Sequence, residues 1–308
     1  MKSKFLLALT LLVLGSCNLV RMKNNHTAKV LKKDSVETAN FDLDSLHIKY
    51  WKGGQGPTLV FVHGFGGDAL MTWERELAHF AKTHTVITYD LLWFGKSYSN
   101  ETPNLLTQTA ALEKLLDYLK VDSATFVGQS YGGFIALDFA TQHPEMIQKL
   151  VIANSPGSTF DVSYLDTVCN NYGVTRIDEL FVMEQPKDLQ RLVNMSTYKK
   201  PHIPKFLLKQ MYSEFCDQYH QEQRLLLQTL PAEKARISNI DQIKQIPTLV
   251  LWGENDELFP KVEGIKFANA VNATFVSIPK CGHAAQIDDH DSFLKYLNEF
   301  INGVNRQD

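Results

Sequence analysis

Ala124-Thr-Phe-Val-Gly-Gln-Ser130-Tyr-Gly-Gly-Phe-Ile-Ala-Leu137 decides how the rest of the chain is read. Ala124 to Val127 is short, apolar and β-prone, whereas Phe134 to Ala140 is apolar on nearly every face, the pattern of a helix buried against a sheet. Between them Gly128-Gln129-Ser130-Tyr131-Gly132 fits G-x-S-x-G. A serine held in strained geometry at a strand-to-helix corner needs neighbours without Cβ atoms on both sides, which is the steric reason for that spacing. The corner lifts the hydroxyl clear of the sheet. It also sets Ser130 at a helix N-terminus, where the free amide of Tyr131 can stabilise a developing oxyanion. Ser130 is therefore the candidate nucleophile.

Upstream, Thr58-Leu-Val-Phe-Val62 is a near-continuous apolar strand of the kind buried on both faces of a parallel sheet, ending in His63-Gly64-Phe65-Gly66-Gly67. A glycine-rich loop in that position suits a phosphate or an oxyanion. The Walker lysine and the G-x-G-x-x-G spacing are both absent, so the loop reads as H-G-x-G, its Phe65 amide aimed at the same oxyanion as the Tyr131 amide. His63 reads as a structural ring that holds the loop. Asp44 to Trp51, His84 to Asp90 and Ile147 to Ala153 read as further strands, with helices over Ala69 to Lys82 and Leu105 to Leu119. This alternation predicts an α/β fold with a mostly parallel, doubly wound sheet.

From Ser158 to Arg236 the rhythm stops. Pro186, Pro201, Pro204 and Pro231 divide the stretch into short helical pieces, including Phe206 to Tyr219, and residues 158–236 are expected to form an inserted helical cap. Residues 41–157 and 237–304 then make the core. The sheet resumes at Pro247-Thr-Leu-Val-Leu-Trp252, and Gly253-Glu-Asn-Asp256 follows at the strand's carboxyl end, where this architecture places functional groups. Thr274 to Ile278 is the last strand, and Pro279-Lys-Cys-Gly-His283 delivers a histidine to the same end. Glu254, Glu257, Asp288 and Asp289 compete with Asp256 as acids.

The 308 residues carry a net charge of −3 and no basic stripe interleaved with aromatics, so nucleic acid is excluded as the expected partner. No C-x-x-C or other metal-like spacing occurs, and neither a metal nor an organic cofactor is called for. Cys169 and Cys216, both in the cap, are the pair to consider for a disulfide; buried free thiols are the equal alternative. At the start, basic Met1-Lys-Ser-Lys4 precedes the apolar run Phe5 to Leu14, which is too short to span a bilayer as a mature helix. Residues 1–16 read as a signal peptide. Leu14-Gly-Ser-Cys17 resembles the bacterial lipobox, which implies a lipid-modified Cys17, a polar tether over residues 17–40, and a place in the cell envelope. Asn18, where families with this lipobox use aspartate for inner-membrane retention, directs the expectation to the outer membrane.

Serine, acid and histidine in that chain order, each after a strand, is the order of the α/β-hydrolase arrangement. Residues 41 to 304 resemble that superfamily through His63-Gly-Phe-Gly66, Gly128-Gln-Ser-Tyr-Gly132, Gly253-Glu-Asn-Asp256 and Gly282-His283. The resemblance implies a Ser130–His283–Asp256 triad with an oxyanion hole from the Phe65 and Tyr131 amides. One departure is Asp90-Leu-Leu-Trp93-Phe-Gly-Lys-Ser97, where relatives often carry D-x-x-G-x-G-x-S. Trp93 in place of glycine leads to the expectation that positive φ is lost there and that the indole projects toward the pocket mouth. A serine nucleophile argues against the dehalogenases and epoxide hydrolases of the superfamily, which use aspartate. The apolar cap and the tether point to an esterase acting on small or medium acyl esters, monoacylglycerol-like ones included. Two alternatives stand beside it: a hydrolase of carbon–carbon bonds in ring-cleavage diketones, and a non-catalytic ligand-binding protein on the same scaffold.

Overall fold

The computed structural model describes residues 18–303, so residues 1–16 and Cys17 lie outside it. Eight strands form one sheet in the order β1-β2-β4-β3-β5-β6-β7-β8. They are β1 (Glu37–Leu43), β2 (Leu46–Gly53), β3 (Thr58–Val62), β4 (Thr85–Tyr89), β5 (Ala124–Gln129), β6 (Ile147–Ala153), β7 (Thr248–Gly253) and β8 (Thr274–Ile278). The β1–β2 and β2–β4 pairs are antiparallel, and β4 through β8 run parallel. The central strands β3, β5 and β7 are buried almost throughout, as expected for apolar runs without alternation.

Helix α1 (Leu19–Lys33) precedes the sheet, α2 (Ala69–Phe80) follows β3, and α3 (Leu105–Tyr118) follows β4. The serine corner opens α4 (Tyr131–Gln142), buried from Tyr131 through Thr141. Between β6 and β7 the chain forms α5 (Tyr164–Tyr172), α6 (Asp178–Phe181), α7 (Pro186–Ser196), α8 (Lys205–Phe215) and α9 (His220–Glu233). Short α10 (Ile240–Ile243) leads into β7; α11 (Lys261–Val271), α12 (Ala285–Asp288) and α13 (His290–Asn302) complete the fold. Arg236 ties the end of the helical insertion to the core, its Nη2 3.0 Å from the fully buried carboxylate of Asp138 on α4.

Three expectations are corrected. Residues 18–40, expected as a polar tether, are ordered secondary structure, since α1 and most of β1 occupy them. Asn18 caps α1 by accepting the Arg21 amide, and Val20, Thr27 and Leu31 are buried; with so few residues turned inward and Leu19, Met22 and Val30 left exposed, the sequence shows no clear apolar stripe there. Helix α8 ends at Phe215 rather than Tyr219, because Cys216 leaves the helical conformation at φ −122° and Tyr219, at φ +60°, is the residue that precedes α9. Trp93 keeps the positive φ usual for glycine, at +65°. Its indole is buried away from the mouth and donates from Nε1 to Ser99 O at 3.2 Å. The three cysteines among the described residues, Cys169, Cys216 and Cys281, are free and buried.

Candidate active site

Ser130 is the hinge between β5 and α4, with φ 52° and ψ −120°, a conformation that costs about 1–3 kcal/mol for a residue with a side chain. The flanking glycines make it possible. A Cβ on Gly132 would lie 2.3 Å from Val62 O and 2.4 Å from His63 O, and one on Gly128 would lie 2.6 Å from Gly132 O. The corner is anchored from the neighbouring strand, where Ala153 O accepts the Ser130 amide at 2.9 Å.

Three loops at the carboxyl ends of β5, β7 and β8 meet here. Ser130 Oγ lies 2.8 Å from His283 Nε2, and His283 Nδ1 lies 2.9 Å from Asp256 Oδ2. All three residues are buried. With Nδ1 donating to the carboxylate, Nε2 is left as an acceptor for the serine proton. Asp256 Oδ1 accepts the amides of Leu258 and Phe259, both at 2.9 Å, which fixes the carboxylate plane.

The competing acids are occupied elsewhere. Glu254 pairs with Lys261 at 2.7 Å, and Glu257 binds Lys200 and Tyr172. Asp289 caps α13 through the Ser292 amide, and Asp288 Oδ2 accepts the amides of Gly282 and Tyr198, both at 2.8 Å. Asp288 thus steadies the turn that carries His283 without touching its ring.

The His63–Gly67 loop packs onto the serine corner: a Cβ on Gly64 would lie 3.0 Å from Ser130 Cβ. His63 holds this loop, with Nδ1 2.7 Å from Gly64 O and Nε2 accepting the Leu91 amide at 3.0 Å. Burial pushes its pKa down to about 4, so the ring is neutral with its proton on Nδ1. Tyr131 is the first residue of α4, so its amide has no carbonyl one turn below to bind. The Phe65 and Tyr131 rings meet edge to face at 5.9 Å beside Ser130.

Ser130 lies in the wall between two cavities. One, of about 70 Å³, is lined by Phe134, Phe160, Val162, Leu165, Val168 and their apolar neighbours, with Lys234 its sole charged side chain. The Lys234 ammonium is committed to Phe160 O. The other, of about 280 Å³, runs past His283 between the Gly64–Gly67 loop and the α7–α8 region, and includes Gln129, Ser196, Thr197 and Gln286. Phe65 and Phe181 line both. Among the described residues no cluster of metal ligands occurs.

Sequence reasoning missed Asn154. It ends β6 with φ 48° and donates from Nδ2 to Asp256 Oδ2 at 2.8 Å, beside the histidine contact. The signal available was an asparagine directly after a buried strand, a residue that tolerates the left-handed conformation.

A family model described as the alpha/beta hydrolase fold matches residues 57–290. The chain belongs to this family. The hydrolase is 27% identical over 269 residues to a 2-hydroxy-6-oxononadienedioate/2-hydroxy-6-oxononatrienedioate hydrolase of Comamonas testosteroni, covering 84% of this chain and 92% of that one. It is 26% identical over 296 residues to a 2-hydroxy-6-oxo-6-phenylhexa-2,4-dienoate hydrolase of Burkholderia cepacia, covering 92% and 99%. Among solved structures it is similar to a bacterial membrane phospholipase A, with TM-score 0.77, 23% identity and 99% and 100% of the two chains covered. It is also similar to a meta-cleavage product hydrolase of Pseudomonas fluorescens IP01, with TM-score 0.71, 21% identity and 87% and 98% covered. At these identities the structural likenesses establish the fold.

The expected ester substrate is thereby corrected. The relatives that align along most of the chain hydrolyse 2-hydroxy-6-oxo-dienoates, which matches the carbon–carbon alternative. The error has a physical source: a serine corner and an apolar cap are equally suited to an oxygen or a carbon leaving group.

Proposed function

We propose that the hydrolase cleaves the carbon–carbon bond beside the 6-oxo group of a 2-hydroxy-6-oxo-dienoate. Support comes from the hydrogen-bonded series Ser130–His283–Asp256, placed where two cavities meet, in a chain whose relatives hydrolyse such compounds.

Transfer of the 2-hydroxyl proton to carbon 5 gives the 2-oxo tautomer, in which the 6-carbonyl is an ordinary ketone and carbon 5 is linked through the 3,4-double bond to an electron sink at position 2. Ser130 Oγ attacks the 6-carbonyl while His283 Nε2 accepts its proton and Asp256 stabilises the resulting imidazolium. The amides of Phe65 and Tyr131 hold the oxyanion. Collapse breaks the bond between carbons 5 and 6, the electron pair moves onto the 2-oxygen as a dienolate, and His283 returns the proton to the departing fragment. Water, activated by the same imidazole, then releases the acid from Ser130. The substrate's own conjugation supplies the sink that carbon–carbon cleavage demands. An aryl or alkyl 6-substituent fits the cavity of Phe134, Phe160 and Val168, and the dienoate arm fits the one that presents Gln129, Ser196, Thr197 and Gln286.

The decisive assay follows the loss of dienolate colour with 2-hydroxy-6-oxo-6-phenylhexa-2,4-dienoate. Turnover by the wild type is expected, together with a fall in kcat of about 10⁴-fold in Ser130→Ala. Absence of turnover on dienoates with aryl, alkyl and carboxyalkyl 6-substituents, by a protein whose Ser130 is still labelled by a fluorophosphonate, would remove the reading.

A further inference from the structure

Two stretches without a single acid lie against each other on one side of the molecule. Helix α1 carries Arg21, Lys23, Lys29, Lys32 and Lys33 in fifteen residues. Residues 198–213 carry Lys199, Lys200, Lys205 and Lys209. A chain of net charge −3 has thus gathered nine of its 31 basic side chains into two short segments. The segments are in contact: the Leu19 amide donates to Gln210 Oε1 at 2.8 Å, and Arg21 lies 3.7 Å from Glu214 at the far end of α8. Some of the cations are committed, Lys23 to Glu74 and Lys200 to Glu257. Lys29, Lys33, Lys205 and Lys209 are exposed and pair with no carboxylate among the described residues.

Large apolar side chains stand out of the same two stretches. Leu19 is 45% exposed and Met22 57%, both in the first turn of α1. Phe206 is 56% exposed, one turn before Gln210 on α8 and so on the side of α8 that faces α1. Tyr198 and Val30 are exposed as well. The second cavity opens here, since Pro201 and Met211 of the basic stretch line it together with Ile287, itself 58% exposed.

We propose that this face docks on an anionic lipid bilayer, with Leu19, Met22 and Phe206 entering the headgroup boundary, the free lysines facing lipid phosphates, and the second cavity turned toward the membrane. Exposed apolar groups among unpaired cations, with the nearby Glu74 and Glu214 already facing Lys23 and Arg21, match a surface that is apolar beneath and negative at its rim. The order of the chain agrees: in sequence the apolar run Phe5 to Leu14 and Cys17 come just before Asn18, the N-cap of α1. This face would set where the protein rests and how an apolar substrate reaches Ser130, whichever carbonyl compound is cleaved.

The test sediments the full-length protein with phosphatidylglycerol or phosphatidylcholine vesicles at low and high salt. Wild type should partition onto phosphatidylglycerol, far less onto phosphatidylcholine, and be released by salt. Met22→Glu/Lys205→Glu/Phe206→Glu/Lys209→Glu should weaken that partition at least about tenfold with an unchanged circular dichroism melt. Should that variant melt early, Lys29→Glu/Lys33→Glu, confined to exposed positions of α1, should still weaken binding severalfold. Equal binding by wild type and both variants would assign membrane association to the segment before Asn18 alone and overturn the proposal. So would a wild type that ignores vesicles and instead dimerises through Met22 and Phe206.

Discussion

Asn154 and His283 share one oxygen: Asn154 Nδ2 reaches Asp256 Oδ2 at 2.8 Å, and His283 Nδ1 reaches the same atom at 2.9 Å. The asparagine therefore fixes the lone pair that orients the imidazole. Its own Oδ1 is buried without a partner among the described residues, so the amide is held by this contact and by the backbone. Asn154→Ala should lower kcat roughly tenfold, the equivalent of one hydrogen bond to a charged group at about 1.5 kcal/mol. Asn154→Gly, which accepts φ 48° without strain, should lose the same factor in kcat but melt higher than the alanine variant. Parallel kinetics and thermal melts of the two variants separate the side-chain contribution from the backbone one.

Gly132→Ala tests the packing of the corner. Its Cβ would meet two backbone oxygens, those of Val62 and His63, at 2.3 and 2.4 Å, and neither can swing aside as a side chain would. We expect a stability loss of about 3 kcal/mol or an insoluble product, at the upper end of overpacking penalties. Urea denaturation reads it directly, and a variant as stable as wild type would mean that β3 and α4 can move apart.

Burial holds the folded-state pKa of His63 at about 4, below its ordinary value of 6.5. The unfolded chain then binds the extra proton between these two values, so the neutral ring's full contribution is present above pH 6.5 and is lost as the pH falls toward 4. The shift corresponds to about 3 kcal/mol at most. Urea midpoints of wild type and His63→Gln, compared at pH 7 and pH 5, should converge at the lower pH. A constant difference would show that folding leaves the titration of this ring unshifted.

Trp93 sets a strained backbone against a large buried side chain. Its φ of +65° favours glycine, while its indole is almost wholly buried and its carbonyl accepts Gln223 Nε2 at 2.8 Å. Trp93→Gly relieves about 1 kcal/mol of strain and loses about 3–5 kcal/mol of packing, so a net loss is expected in thermal denaturation. A stabilised variant would mean that the indole is poorly packed.

Much of the site was legible because its signals are local. G-x-S-x-G is a steric requirement of one tight corner, H-G-x-G of one loop, and the β-prone runs Thr58–Val62, Ile147–Ala153 and Thr274–Ile278 mark strands whose bounds the structure reproduces. Helix α1 escaped because most of its surface faces water and only Val20, Thr27 and Leu31 turn inward.

By itself the sequence determined the parallel strands of the sheet, the serine corner and the carboxyl-end loops that bear Asp256 and His283, since each follows from the preferences of a few adjacent residues; edge strand β1 it did not show. Only the tertiary structure decided that Asp256, and none of the four neighbouring acids, reaches His283, that Asn154 shares its oxygen, and that Ser130 divides two cavities. Those are contacts between residues 27 to 153 positions apart. Nothing in a local pattern encodes them, because they depend on how β5, β6, β7 and β8 line up side by side and bring their ends to one rim.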